Sequence, residues 1–303
     1  MSTVSHTYRD HNGKTIILLP IMHMGEPQYF NKLLEYIGDR ICIYEYLELG
    51  FSELVQKPTP VKSFDEQLHQ SAIAATEFYQ QYGQYIKKYQ KKIKTRMIRK
   101  IRRIVKRNLR VLDERVDLIF QIIERSLYGI QNLTLAQMYL ATLVGLSSQL
   151  FEIDYITDIP QRGNWIHSDL VYQNSEDSSI GEYLRSIDKE KIENLQKQAM
   201  LLYSLVYLIE EFCVTPPSKR KEKFAEWIYI SAQKPWTSYE DESPDYLYHP
   251  RNEILMNTII QQLNIRDEVI VLYGTGHMPA IEENLLKKGY ELLSKKEFEV
   301  FHI

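Results

Sequence analysis

Two similar segments near the two ends of the 303-residue chain constrain its fold more than any other feature. The first runs from Ile16 to Met24 and the second from Ile270 to Met278, and they align residue for residue. Each is a short apolar run followed by a turn and a histidine. Runs of this kind are typical of strands that are buried on both faces. A helical pattern follows each copy, so the sequence predicts two strand-histidine-helix units of an α/β fold.

The histidines of these two units are the first candidates for a functional site. Ligands of open α/β sheets bind just past the carboxyl ends of the strands, which is where His23 and His277 lie. A second apolar run, over residues 40–47, places Glu45 in an apolar row with the two-residue period of a strand. A β-α-β connection of this length makes its two strands parallel, which predicts Glu45 at the same sheet edge as His23. The alternative is that Glu45 lies on an edge strand or pairs with an arginine.

Composition sets the broad class of the protein. Hydrophobic residues make up 44% of the chain and charged residues 25%, as in soluble globular proteins. The polar segment Met1 to Lys14 lacks the apolar core of a signal peptide, and the longest apolar stretches are too short to span a bilayer. Two cysteines, Cys42 and Cys213, fit a reducing compartment. We therefore expect a cytoplasmic protein with one α/β domain over residues 1–303, whose C-terminal half of the core is residues 250–303.

A long helical insertion is predicted over residues 62–150, where apolar residues recur every three or four positions. Within it, residues 87–110 hold 13 Lys or Arg and no acidic residue, although the net charge of the whole chain is −3. This basic segment is compatible with an anionic partner such as nucleic acid or an anionic membrane, although it lacks the signature of a nucleic-acid-binding fold. The alternative is a solvated helix face, or a face docked on the acidic remainder of the chain or on a second subunit, which leaves self-association open.

The later part of the chain adds further candidates. Residues 160–170 look like a polar loop that ends in His167, Ser168 and Asp169, which is typical of a site, although a helix N-cap by Ser168 or Asp169 competes with that interpretation. We predict a helix over residues 188–213, a weakly patterned stretch over 218–249, and a helix that begins at Pro250. The tail predicts a hairpin of residues 290–293 and 298–303.

These residues together resemble the TraB/TIKI superfamily, including its GumN and PrgY branches, with ChaN and the erythromycin esterases as more distant relatives. The resemblance lies in the strand with His23, in Ile43-Tyr44-Glu45, in Gln149 to Asp169, in Arg251-Asn252, and in Gly274-Thr275-Gly276-His277. The family signature is a pair of Gly-x-x-His motifs plus a glutamate. The first copy departs from it, because Pro20 stands where the motif has glycine, and proline cannot adopt the positive φ that glycine allows.

The resemblance implies a ChaN/erythromycin-esterase-like core with a central, mostly parallel sheet and a long helical insertion. TIKI-type relatives imply a metal-dependent peptidase, the esterases imply hydrolysis by histidine without metal, and ChaN-like relatives bind haem. The superfamily therefore indicates a site more firmly than it indicates a reaction.

The residues themselves make an adequate ligand set. His23, His277 and Glu45 would bind Mn, Co or Zn and leave a position for a water that the metal activates, with Glu45 as ligand or base. Candidate catalytic residues are His23, Glu45, Arg251 and His277. Asp169 would orient a histidine, and Arg251 would bind a substrate carboxylate or hold Glu45. Candidate substrate-binding residues are Asp169, His167, Asn252, Gly274 and Gly276.

Three hypotheses follow from the sequence. The first is a metal-dependent hydrolase that cleaves a peptide or similar acyl bond in a small-molecule or peptide substrate. The second is a binding or regulatory protein whose basic helical arm holds an anionic partner. The third is a metal-independent esterase with His23 as the general base.

Overall fold

The computed structural model describes the two ends of the chain and several segments between them. The described residues are 1–45, 69, 73, 76, 80, 137, 140–153, 155, 158–169, 208, 211–212, 215–232 and 249–303. The basic segment 87–110, most of the predicted helical insertion and nearly all of the predicted helix 188–213 lie outside them.

Eight strands and six α-helices have defined bounds within these residues. The strands are β1 (Ser2–Arg9), β2 (Thr15–Ile21), β3 (Met24–Gly25), β4 (Cys42–Tyr44), β5 (Ser147–Ser148), β6 (Trp165–His167), β7 (Glu268–Gly274) and β8 (Glu291–Glu299). The helices are α1 (Pro27–Ile37), α2 (Gln149–Glu152), α3 (Asp158–Gln161), α4 (Pro217–Ala232), α5 (His249–Leu263) and α6 (Met278–Lys287). A 3₁₀ turn, Thr275–His277, joins β7 to α6. None of these described helices is both long and apolar enough to cross a membrane.

The architecture is mixed α/β around a mostly parallel six-stranded sheet. Its strand order is β6-β4-β7-β2-β1-β8, and β3 pairs with β5 in a separate two-stranded ribbon. Strands β6, β4, β7 and β2 are parallel to one another, whereas β1 pairs antiparallel with both β2 and β8. The strands of the two strand-histidine-helix units lie side by side, because β2 and β7 are parallel neighbours in the sheet. The register is one residue away from the sequence alignment: Pro20 pairs with Tyr273 and Ile21 with Gly274.

The central strands are continuous apolar runs because helices cover both faces of the sheet. All seven residues of β2 are buried, and in β7 only Glu268 is exposed. Alternate residues enter two separate cores. Leu19 packs in the same core as Phe30 of α1, and so do Ile17 and Ile21. Leu18 packs with Leu255 of α5 and Ile281 of α6.

The predicted helices of the two units and the helix at Pro250 are confirmed, with ends that follow local chemistry. Pro27 lies in the first turn of α1, where its fixed φ suits the helix and its missing N–H costs no hydrogen bond. Gly38 ends α1 with φ +54°, a conformation that favours glycine. Helix α5 includes Pro250 at its start, as the sequence predicted.

Two predictions about the other segments are wrong. The tail does not form a hairpin but a single strand, β8, which pairs along its length with β1. Most of β8 is solvent-exposed on both faces, so it lacks the apolar alternation that marks a half-buried strand. Helix α4 forms where the sequence pattern was weak, and its lysine-rich sequence buries Phe224. The predicted loop 160–170 contains β6, only three residues long, which is too short for a periodic signal.

Candidate functional site

Four parallel strands end at one edge of the sheet, and the predicted site residues follow them there. Glu45 comes directly after β4, Asp169 lies two residues after β6, and His23 lies two residues after β2. His277 ends the 3₁₀ turn that follows β7. The strand order β6-β4-β7-β2 therefore brings together residues from distant parts of the chain, at the position where open α/β sheets bind ligands.

A buried ion-pair cluster holds one side of this edge. Arg251, in the first turn of α5, donates from Nε to Asp169 Oδ1 over 2.7 Å and from Nη2 to Asp169 Oδ2 over 2.8 Å. The same Nη2 contacts Glu45 Oε1. The side chains of Arg251, Glu45 and Asp169 are only 7%, 10% and 0% exposed. The planar two-point pair with Asp169 is the geometry of an ionised carboxylate. The additional contact from Nη2 shows that Arg251 also holds Glu45, so Glu45 does pair with an arginine.

Gly274 allows the Glu45 carboxylate to approach β7. The Gly274 backbone N–H donates to Glu45 Oε2. A Cβ atom at position 274 would lie 2.8 Å from that oxygen and 3.5 Å from His23 Nε2, so any side chain there would displace the carboxylate. Burial alone would raise the pKa of Glu45. Coulombic interactions with Arg251, His277 and His23 and the Gly274 hydrogen bond outweigh burial and lower the pKa of Glu45 to about 2.

His277 is a buried, neutral imidazole. Its Nδ1 lies 2.7 Å from Asn252 Oδ1, its Nε2 lies 3.8 Å from Glu45 Oε1, and its ring stands edge-on to Tyr273. Burial lowers the pKa of His277 to about 4, against the opposing effect of Glu45. The imidazole therefore carries no charge near neutral pH.

His23 differs because it is exposed. Its Nδ1 lies 2.8 Å from Gln149 Oε1, and the Gln149 backbone N–H donates to the His23 carbonyl over 2.9 Å. The Gln149 amide nitrogen in turn donates to the Tyr155 hydroxyl. Gln149 was not among the site residues predicted from the sequence. Its signal was weak: an amide at a helix start, within a segment that the resemblance covers.

The remaining candidates surround this centre. Asn252 contacts His277 directly, and Gly276 is exposed in the turn before it. The His167 ring ends β6 with its centroid 5.6 Å from that of Tyr44. The Tyr273 hydroxyl donates to the Ser168 carbonyl over 3.0 Å, and the Ser168 hydroxyl donates to Thr258 over 2.9 Å, which ties the end of β6 to β7 and α5.

The geometry does not fit the predicted three-ligand metal site. Across the described part of the chain, no three His, Cys, Asp or Glu side chains are arranged to hold a metal ion. Both oxygens of Glu45 already accept hydrogen bonds, from Arg251 and from the Gly274 N–H. The positive guanidinium beside the carboxylate also opposes a second cation at short range.

Comparison with known proteins adds no relative to this description. No protein-family model, no curated protein and no solved structure matches the chain.

Proposed function

We propose that this protein is a metal-independent hydrolase of ester or similar acyl bonds in which His23 is the general base. One observation carries the proposal: two imidazoles, each bound at Nδ1 by a side-chain amide oxygen, flank a buried, ionised glutamate at the carboxyl ends of parallel strands. As part of the same proposal, we assign the fold to the ChaN/erythromycin-esterase-like core and the chain to the TraB/TIKI superfamily.

Exposure selects His23 as the base. A general base must reach the proton that it removes, and His23 is open to solvent whereas His277 is 5% exposed. The Nε2 atom of His23 faces the space above Gly274, next to Glu45. A water bound there would lose a proton to Nε2 as its oxygen attacks the acyl carbon. The imidazolium would later return that proton to the leaving group.

The ion-pair cluster suits this proton transfer. Glu45 and Asp169 contribute two negative charges and Arg251 one positive charge, which leaves one excess negative charge in a buried place. Glu45 keeps its charge across the physiological pH range because its pKa is about 2. This excess charge would stabilise the imidazolium form of His23 in the transition state. His277, which stays neutral, adds an acceptor for the second hydrogen of the water without competing for that charge.

A panel of aryl esters and short peptides, assayed before and after exhaustive chelation, tests the proposal. We expect hydrolysis to survive chelation and to fall by roughly 10² to 10⁴ in His23→Gln, the typical contribution of a general base. His11→Gln is the matched control, since His11 is an exposed histidine in the turn before β2, at the opposite edge of the sheet.

Two results would overturn the proposal. One is hydrolysis that chelation abolishes and that Mn, Co or Zn restores, which would favour the metal-dependent hydrolase predicted from the sequence. The other is full activity in His23→Gln. Absence of hydrolysis across the panel would count against an acyl hydrolase.

A further inference from the structure

We infer that Gln149 and Asn252 are positioning residues that hold both site histidines in one tautomer, with the hydrogen on Nδ1 and the lone pair on Nε2. The inference extends the proposed function, because only this tautomer lets His23 act as a base toward the space above Gly274. The tautomers themselves can be measured without any assay of hydrolysis.

The Gln149 amide is oriented by several independent contacts. Gln149 is 5% exposed and begins α2, and its backbone N–H already binds the His23 carbonyl. Pairing of Met24 with Ser148, in the ribbon of β3 and β5, fixes the two segments against each other. The amide nitrogen donates to the Tyr155 hydroxyl, which leaves Oε1 toward His23 Nδ1. Because an amide oxygen only accepts hydrogen bonds, the hydrogen must be on Nδ1.

Asn252 does the same for His277 from a different element. Asn252 is 8% exposed, and its Oδ1 lies 2.7 Å from His277 Nδ1. It follows Arg251 directly on α5, so consecutive residues of one helix hold Glu45 and His277. The first turn of α5 therefore sets both the carboxylate and the tautomer of the imidazole that lies 3.8 Å from it.

The amides are needed because the carboxylate favours the opposite tautomer. A hydrogen on His277 Nε2 would point at the ionised Glu45, a better acceptor than a neutral amide. Without Asn252, the His277 tautomer with its hydrogen on Nε2 would be more stable than the tautomer with its hydrogen on Nδ1. The same argument applies to His23, whose Nε2 lies at the Glu45 side of its ring. The two amides thus keep two lone pairs directed toward a negative charge.

Nitrogen-15 NMR of histidine-labelled protein tests this directly, at a pH where the rings are neutral. His23→Gln and His277→Gln assign the two rings among the eight histidines of the chain. We expect Nδ1–H for both rings in the wild-type protein. Asn252→Leu and Gln149→Met should shift the corresponding ring mainly to Nε2–H. The conservative variants Asn252→Asp and Gln149→Glu keep an acceptor oxygen and should keep Nδ1–H.

The control variants distinguish a change of tautomer from a loss of folding and from a loss of hydrolysis. Gln28→Met alters an exposed glutamine of α1 and should change neither ring. In the hydrolysis assay, Gln149→Met should lose roughly a hundredfold or more, as expected for a general base held in the wrong tautomer, and Gln149→Glu should recover most of it. If a Leu or Met variant fails to fold, the wild-type spectrum and the conservative variants decide the question.

The inference is overturned if either wild-type ring carries its hydrogen on Nε2, or if folded Asn252→Leu and Gln149→Met leave both rings unchanged. Correct tautomers in a protein without hydrolytic activity would refute the proposed function and leave the role of the two amides intact.

Discussion

The two strand-histidine-helix units are alike in sequence and different in chemistry. Both place a histidine after a buried parallel strand, and both rings bind a side-chain amide oxygen through Nδ1. In the first unit a short strand, β3, separates His23 from α1, and the ring is exposed. In the second unit a 3₁₀ turn leads directly into α6, and His277 is buried with its pKa lowered to about 4. The connection after the strand, rather than the strand itself, decides whether the imidazole is exposed or buried.

Glu45 lies between the two units, so removal of its ion-pair partner Arg251 should destabilise the site in both units. Arg251→Met would leave the carboxylates of Glu45 and Asp169 buried without their guanidinium. We expect a loss of about 3–5 kcal/mol in the free energy of unfolding, measured by urea denaturation. Arg162→Met is the matched control, because Arg162 pairs with Asp158 at the surface, where such pairs contribute about 0–1 kcal/mol. Equal losses in the two variants would contradict a cluster that depends on burial.

Acid sharpens the comparison, because burial of His277 should make the fold acid-sensitive above pH 4. The unfolded chain protonates His277 near pH 6.5, whereas the folded protein resists protonation down to about pH 4. The unfolded state therefore binds more protons in this range, and stability falls as the pH drops through it, by on the order of 3 kcal/mol.

Glu45 makes the stability of the fold depend on pH in a second range, below that of His277. Its folded pKa of about 2 lies under the ordinary 4.5, so its contribution to stability is complete above 4.5 and is lost toward pH 2. Urea denaturation at a series of pH values should show a smaller slope of stability against pH between pH 6.5 and 4 in His277→Gln than in the wild-type protein. The same slope in the variant and the wild-type protein would contradict a buried His277 that resists protonation.

The smallest expected effect concerns Gly274 of the second unit, whose backbone N–H donates to Glu45. Gly274→Ala would place a Cβ atom 2.8 Å from Glu45 Oε2, so the carboxylate must move and hydrolysis should fall. We expect a destabilisation of about 1–3 kcal/mol by urea denaturation, typical of an overpacked site. Gly163→Ala is the control, since a Cβ atom there meets nothing within 4 Å. A fully active Gly274→Ala protein would show that the close approach is unnecessary.

Strong local patterns made the centre of the fold predictable from sequence. Continuous apolar runs mark β2 and β7 because both of their faces are covered, and the turn residues after them locate the two histidines. A short β-α-β connection makes its two strands parallel, and this rule then predicts Glu45 at the same edge of the sheet. The strand β8 escaped prediction because pairing of its backbone with β1, rather than burial of its side chains, holds it in the sheet.

The chemistry of the site was less predictable because it depends on contacts between distant residues. Nothing near Gln149 in the sequence indicates that its amide meets His23, 126 positions away. The composition of the set His23, His277 and Glu45 suits a metal, but the charge of Arg251, 206 positions from Glu45, changes what the set can hold. The burial that separates the two histidines likewise arises only from packing.

The place of β7 in the sheet also determines when the site can exist. In the sheet β7 lies between β4 and β2, although it is made near the end of the chain: Lys14 and Asp267, which lie beside the starts of β2 and β7, are 253 positions apart. While a ribosome is still translating the middle of the protein, β2 and β4 have no common neighbour, and Glu45 lacks both Arg251 and the Gly274 N–H. Assembly of the sheet must therefore follow synthesis of nearly the whole chain, and such long-range pairing is intrinsically slow. A nascent or truncated chain that ends before β7 would have no functional site.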